Sequence, residues 1–138
     1  MADKQALIDG LNEDLNLELE AVLRMIYHSA TATGLLGHEL RESLKEDITG
    51  EIGHATYLAD KIVALGGEPH IHPQMPKKHK SAKEMLQDDV AAERTIIENY
   101  TRHIAMAEEL GEKGLVIRLE DILAEETDHA EELERLAR

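Results

Sequence analysis

Two Glu-x-x-His quartets, Glu51-Ile52-Gly53-His54 and Glu126-Thr127-Asp128-His129, carry the clearest chemistry in this sequence. On an α-helix, residues three apart share a face about one turn along, so each quartet can aim a carboxylate oxygen and an imidazole nitrogen at one point. That is a spacing for two metal ligands. In a Glu-rich chain with 8 His, about one such pair arises by chance, so the quartets alone decide little. Their placement decides more. Glu18 precedes Glu51 by 33 residues, and Glu93 precedes Glu126 by the same 33. The first interval is centred on Gly34 and Leu35, just before Gly37, and the second on Leu110 and Gly111, just before Gly114. Two helices folded back at such a turn bring residues equidistant from it to the same height. Glu18 should therefore face Glu51 and His54, and Glu93 should face Glu126 and His129. The chain reads as one helical hairpin written twice.

The elements that must position these residues are legible from periodicity. With no Phe, no Trp and no Cys, and with Ala, Leu, Glu and Lys dominant, strands are disfavoured and helices favoured. A first helix is expected from about Asp3, its N-cap, to about Thr33, with Leu11, Leu15, Glu18, Val22 and Met25 facing inward. The second should run from about His38 to Leu65 on the stripe Leu44, Ile48, Glu51, Ala55, Leu58, Ile62 and Leu65, stopped by Gly66, Gly67 and Pro69. Residues 66–80 hold all 3 prolines and form the one long connection. Fifteen extended residues reach about 50 Å, whereas a helix of about 28 residues spans about 42 Å. The segment can thus cross the whole bundle. Ser81-Ala82-Lys83-Glu84 fits a capping box that opens a third helix with Leu86, Val90, Glu93, Ile97, Tyr100 and Ile104 inward. After Gly111 and Gly114, a fourth helix carries Leu115, Leu119, Ile122, Glu126, His129, Leu133 and Leu136. The expectation is all-α: a single domain over residues 1–138, a four-helix bundle with a long crossover between the second and third helices.

Each of the four glutamates interrupts an apolar stripe near the middle of its helix. A helix Glu usually reaches solvent or a Lys or Arg partner, but four of them equidistant from two turns and accompanied by two His form a joint pattern. Buried together, four carboxylates would repel one another or stay protonated. Two divalent cations would balance them, with His54 and His129 completing six protein ligands. Mixed carboxylate and imidazole ligation suits iron or manganese better than calcium. The formal net charge of −14 argues against general nucleic-acid binding and favours attraction of cations. No apolar run approaches the roughly 20 residues that span a bilayer, and the start of the chain lacks the pattern of a signal peptide. A cytoplasmic protein with no membrane partner is expected.

The stretches Leu17-Glu18-Leu19, Glu51 to Asp60, Asp89 to Glu93 and Glu126 to His129 resemble a bacterioferritin-type member of the ferritin-like di-iron superfamily. Its known ligand set is one Glu from each of two helices and Glu-x-x-His from the other two. The resemblance implies that Glu18 and His54 are terminal ligands of one iron, Glu93 and His129 of the other, and that Glu51 and Glu126 bridge both. It implies a ferroxidase that oxidises Fe(II) with oxygen or hydrogen peroxide, two irons per chain with Mn or Zn as substitutes, and iron storage and detoxification in a homo-oligomer. A bacterioferritin haem Met would follow the first bridging Glu, where this chain has Ile52, so haem is not expected. A Tyr seven residues after the first Glu is replaced by Met25, and acidic positions four and one before the first bridging Glu are Asp47 and Gly50. No fifth helix follows in this sequence, which favours a dimer building block in a shell of about twelve subunits. Competing readings are a rubrerythrin-like di-iron peroxidase, an oxygenase, or a metal-binding shell subunit without catalysis.

Of the other histidines, His28, His38 and His103 read as polar-face or interface residues. His70, His72 and His79 read first as a solvated loop, with transition-metal binding at an entry point or interface as the alternative. Asp89, one turn before Glu93, is the leading candidate to orient a ligand His, with Glu125 second. Tyr27, Tyr57 and Tyr100 read as packing residues.

Overall fold

The computed structural model describes residues 3–138. Four helices account for the fold: α1 Lys4–Thr31, α2 Gly34–Ala64, α3 Ala82–Glu109 and α4 Lys113–Leu136. They form the expected all-α bundle, and among the described residues there is no strand. Asp3 caps α1, its carboxylate accepting from the Ala6 N–H at 2.6 Å. Ser81 caps α3 by accepting from Glu84 N–H at 3.2 Å. Glu84 reaches back one residue further than a capping box requires, to the Lys80 N–H at 2.9 Å.

The first turn differs from expectation. α1 ends at Thr31 rather than Thr33, and α2 starts at Gly34 rather than His38. The reason is Gly34 itself, whose φ of +79° reverses the chain at once. Gly37, the second glycine of the expected turn, lies inside α2 and serves a different purpose. A Cβ there would stand 2.8 Å from the Ala32 carbonyl carbon, so its bare backbone lets the end of α1 pack close. At the other end α2 finishes in a Schellman arrangement, with Gly66 N–H bonded to Val63 O and Gly67 N–H to Ile62 O, both at 2.9 Å. α4 opens at Lys113, so Gly114 belongs to its first turn.

The crossover runs extended along the full length of α1. Its beginning, Gly67, packs on Ile8, and near its end His79 stacks edge-on against His28. Between them α1 supplies side chains that stand in for a neighbouring strand. Asn12 donates to Glu68 O at 3.1 Å and accepts from His70 N–H at 2.7 Å. One turn later Asn16 donates to His70 O and accepts from His72 N–H, both at 2.7 Å. Glu20 continues by accepting from Gln74 N–H at 3.1 Å. These bonds satisfy backbone groups that an isolated extended segment would leave to water. They also explain why the polar side chains of Asn12 and Asn16 are buried.

Leucines from all four helices, among them Leu11, Leu44, Leu58, Leu86 and Leu119, make a core of fully buried aliphatic side chains. Each contributes about 1.5–3 kcal/mol by leaving water. α3 departs from the stripe read from sequence. Val90, Ile97 and Ile104 are only partly buried, while Asp89, Ile96, Asn99 and His103 take the inner positions. The polar ones are tolerated because α1 answers each of them: His28 and Arg24 meet Asp89, Glu13 meets Asn99, and Asp14 meets His103. His28 and His103 are therefore buried at 0% and 4% exposure, not on a polar face. Gly10 makes room for the His103 ring, since a Cβ there would lie 2.6 Å from Nε2.

Candidate metal centre

Glu18, Glu51, Glu93 and Glu126 are all 0–1% exposed at the centre of the bundle. The helices bring them together with His54 and His129 in two overlapping groups. Glu18, Glu51, His54 and Glu126 offer ligand atoms all within 4.8 Å of one another, and so do Glu51, Glu93, Glu126 and His129. Glu51 and Glu126 belong to both. All six residues named from sequence meet at one place.

Each imidazole turns Nδ1 inward. His54 Nδ1 lies 3.0 Å from Glu126 and 3.2 Å from Glu18, and His129 Nδ1 lies 3.1 Å from Glu51 and 3.5 Å from Glu126. The outer nitrogens have partners of their own, Glu125 at 2.6 Å for His54 and Asp47 at 3.2 Å for His129. Such carboxylates fix the orientation of a ligand imidazole and raise its basicity. Asp89, the leading candidate for this role, is elsewhere: both its oxygens lie 3.0 Å from His28. Asp47 went unassigned to it, although its place one turn before Glu51 puts it on the same face of α2. Tyr100 also does more than pack, since its hydroxyl donates to Glu18 at 3.0 Å.

Electrostatics show what this cluster lacks. Burial, then the hydrogen bond and charge of Glu51, push Glu18 well above its ordinary range. Burial likewise raises Glu51, and burial with the proximity of Glu126 and Glu51 pushes Glu93 up to about 12. Burial pulls in the same upward direction on Glu126, but the closeness of Glu93, His129 and His54 outweighs it and holds this carboxyl well below the usual range. His129 is raised to about 10, burial notwithstanding, by Glu126, Glu51 and Asp47. Without cations the site must therefore hold protons in their stead. Both oxygens of Glu51 and of Glu93 are buried with no hydrogen-bond partner, which costs roughly 1–3 kcal/mol for each unsatisfied group. Carboxyl oxygens gathered at one place, with nothing donating to them and ionisation opposed by burial, fit a pair of metal cations that would take over from the protons.

A surface cleft lies beside His54. Gly50, Gly53 and Tyr57 of α2 and Arg118, Asp121 and Glu125 of α4 line it together with that imidazole. The two glycines leave open space where side chains would stand. Ile52 sits on the outer face of α2, half exposed.

Known proteins share this sequence pattern and fold. The family described as the ferritin-like domain matches residues 8–138. This chain belongs to that ferritin-like family. It is 33% identical over 132 residues to a bacterial ferritin of Pseudomonas aeruginosa, covering 94% of this chain and 84% of that protein. It is 28% identical over 125 residues to a bacterioferritin of Mycobacterium leprae, covering 90% and 79%. Among solved structures, a ferritin-like di-iron carboxylate protein from Bacillus anthracis superposes over the whole of both chains with a TM-score of 0.94 at 38% identity. A Dps protein from Bacillus brevis shares the fold at a TM-score of 0.90 and 19% identity, again over the whole of both chains. No helix among the described residues of this ferritin-like chain is long and apolar enough to cross a membrane.

Proposed function

We propose that this ferritin-like chain binds two Fe(II) ions between its four glutamates and two histidines and oxidises them to Fe(III) for iron storage and detoxification. The observation that carries this reading is the sharing of Glu51 and Glu126 by two ligand groups. Shared carboxylates hold two ions close together, and two Fe(II) supply the two electrons that convert dioxygen to hydrogen peroxide with uptake of two protons. Two Fe(II) likewise reduce one hydrogen peroxide to water. Glu18 and His54 would hold one iron, Glu93 and His129 the other. Glu125 and Asp47 would keep the imidazoles pointed inward as charge develops. Mn(II) and Zn(II) suit the same donors as substitutes.

Iron leaving the site needs an enclosure if it is to be stored, so a closed homo-oligomer accompanies the proposal, with a dimer as building block and a shell of about twelve subunits. Ile26, Leu35, Ile52, Val63, Ile71 and Met75 are exposed on the isolated chain and supply apolar surface for such contacts. The test is an anaerobic Fe(II) titration followed by oxygen, with particle size measured on the same sample. Two tightly bound Fe(II) per chain that oxidise together support the ferroxidase. Saturation well below one would sink it, and tight binding without oxidation would leave a metal-binding shell subunit.

A further inference from the structure

A second group of metal-ligating side chains lies apart from the four-glutamate site, where the crossover meets α1 and α3. His28 of α1 is fully buried. Its Nδ1 is committed to Asp89, 3.0 Å from both carboxylate oxygens, and Arg24 donates to the same carboxylate at 3.1 Å. Its other nitrogen, Nε2, is buried with no hydrogen-bond partner. A buried imidazole nitrogen left so is destabilising, and nothing in the paired site uses it.

Two side chains from other segments face this ring. His79, from the crossover, stands edge-on to His28 with ring centroids 5.6 Å apart. Asp88, in the first turns of α3, places Oδ2 3.0 Å from His79 Nε2. One ligand atom from each of His28, His79 and Asp88 lies within 4.8 Å of the others. Ligands held at about 2.1 Å from a transition ion stand about 3–4 Å apart, so a small rotation of the half-buried His79 completes the set. A simple His79–Asp88 ion pair would account for two of these groups and leave His28 Nε2 unexplained.

We propose that His28, His79 and Asp88 bind a single divalent transition ion of the Zn(II) type, with Asp89 as a positioning residue on His28 Nδ1. Two imidazoles and one carboxylate favour such an ion over Mg(II) or Ca(II), and three protein ligands leave a coordination position for water. The hydrogen bond between Asp89 and Nδ1 is the arrangement that sets the tautomer of a metal-binding His. The ion would join α1 to the end of the crossover and the start of α3. It would pin the end of the crossover beyond Gln74, where bonding from Glu20 ends the ladder of side chains from α1.

The site is tested with Zn(II) on the full chain after chelation and desalting, read by bound metal per chain and by trypsin cleavage at the exposed Lys77, Lys78 and Lys80 beside His79. His79→Ala and Asp88→Asn, both at partly exposed positions, should each bind one Zn(II) fewer than the parent. Zn(II) should slow cleavage at these lysines at least tenfold in the parent and leave it unchanged in His79→Ala. The same one-ion difference should appear when His79→Ala is made in a Glu51→Ala background, which separates this site from the paired one. Equal Zn(II) content with and without His79, in either background, would overturn the proposal, as would cleavage indifferent to Zn(II) in the parent. Neither result depends on whether the four-glutamate site oxidises iron.

Discussion

Glu18 and Glu93 occupy matching places in the two helical hairpins, yet their surroundings differ. Glu18 accepts the Tyr100 hydroxyl at 3.0 Å, whereas neither oxygen of Glu93 has a hydrogen-bond partner. Tyr100 stands two turns after Glu93; two turns after Glu18 the chain has Met25, which cannot donate. The outer imidazole nitrogens diverge too. His54 is held by Glu125, the residue before the shared Glu126, and His129 by Asp47, one turn before the shared Glu51. Repetition of the hairpin thus fixes where ligands stand, and departures from repetition fix how firmly each is held. The half-site built on Glu18 is the pre-organised one, and Glu93 is the freer carboxylate.

The strongest way to break this comparison is to remove what the half-sites share. Glu51→Ala or Glu126→Ala should lower the rate of paired Fe(II) oxidation by more than about 100-fold, beyond the usual loss of a supporting residue. Wild-type oxidation kinetics in Glu51→Ala would show that the paired mechanism is wrong even with the bundle intact. Both variants should fold, because deleting one carboxylate relieves repulsion in the metal-free cluster. A core change such as Leu58→Ala, by contrast, should cost about 2–5 kcal/mol in denaturant unfolding.

Removing a terminal ligand should separate the halves. Glu18→Ala should weaken chiefly the ion held by His54, and Glu93→Ala that held by His129, leaving one tight Zn(II) per chain in calorimetric titration. Tyr100→Phe should then make the Glu18 half resemble the Glu93 half, lowering affinity at the tighter site by about 10-fold. Unchanged two-site titration in Tyr100→Phe would mean that the asymmetry has no energetic consequence. Glu125→Ala and Asp47→Ala should each have an effect of that size at one site only.

The smallest predicted effect concerns protons. Burial and neighbouring carboxylates raise Glu93 from 4.5 to about 12, and neighbouring carboxylates raise His129 from 6.5 to about 10 against the opposing effect of burial. Groups raised on folding stabilise the chain below their unfolded values, and that contribution is lost as pH rises through the folded values. Chelator-treated protein should therefore melt a few degrees higher at pH 6 than at pH 9. Glu126, shifted the other way, matters only below its ordinary 4.5. Saturating Zn(II) should reverse the order, because protons compete with metal at low pH. A chelator-treated melting temperature that climbs from pH 6 to pH 9 would show that the cluster does not hold these protons.

The six clustered side chains were legible because helix rise is constant: equal distances from a turn become equal heights, whatever lies between. The crossover was legible through its prolines and its reach. What escaped were pairings between polar residues far apart in sequence. Asp14 with His103 and Asp89 with His28 cancel one another across the interface of α1 and α3, and an apolar stripe drawn along one helix cannot show a partner on another. A stripe of apolar residues therefore points to Val90, Ile97 and Ile104, whereas the inner places of α3 hold Asp89, Ile96 and His103. The exact ends of α1 and α2 escaped for a local reason, since Gly34 and Gly37 can both reverse the chain and only backbone geometry tells them apart.

The contacts between α1 and the crossover work as a vernier, two scales with slightly different divisions. Four residues of helix advance about 6 Å, and two residues of extended chain advance about 6.6 Å. The rungs at Asn12 and Asn16 fall nearly in phase, with His70 and His72 N–H groups both at 2.7 Å. By Glu20 the scales have drifted, and the bond to Gln74 N–H has lengthened to 3.1 Å. A sliding strand finds good alignment only over this short span, and a shift of one residue would present carbonyls where amides are needed. Two asparagines a turn apart thereby set the phase of the whole connection, and with it the height at which α3 begins.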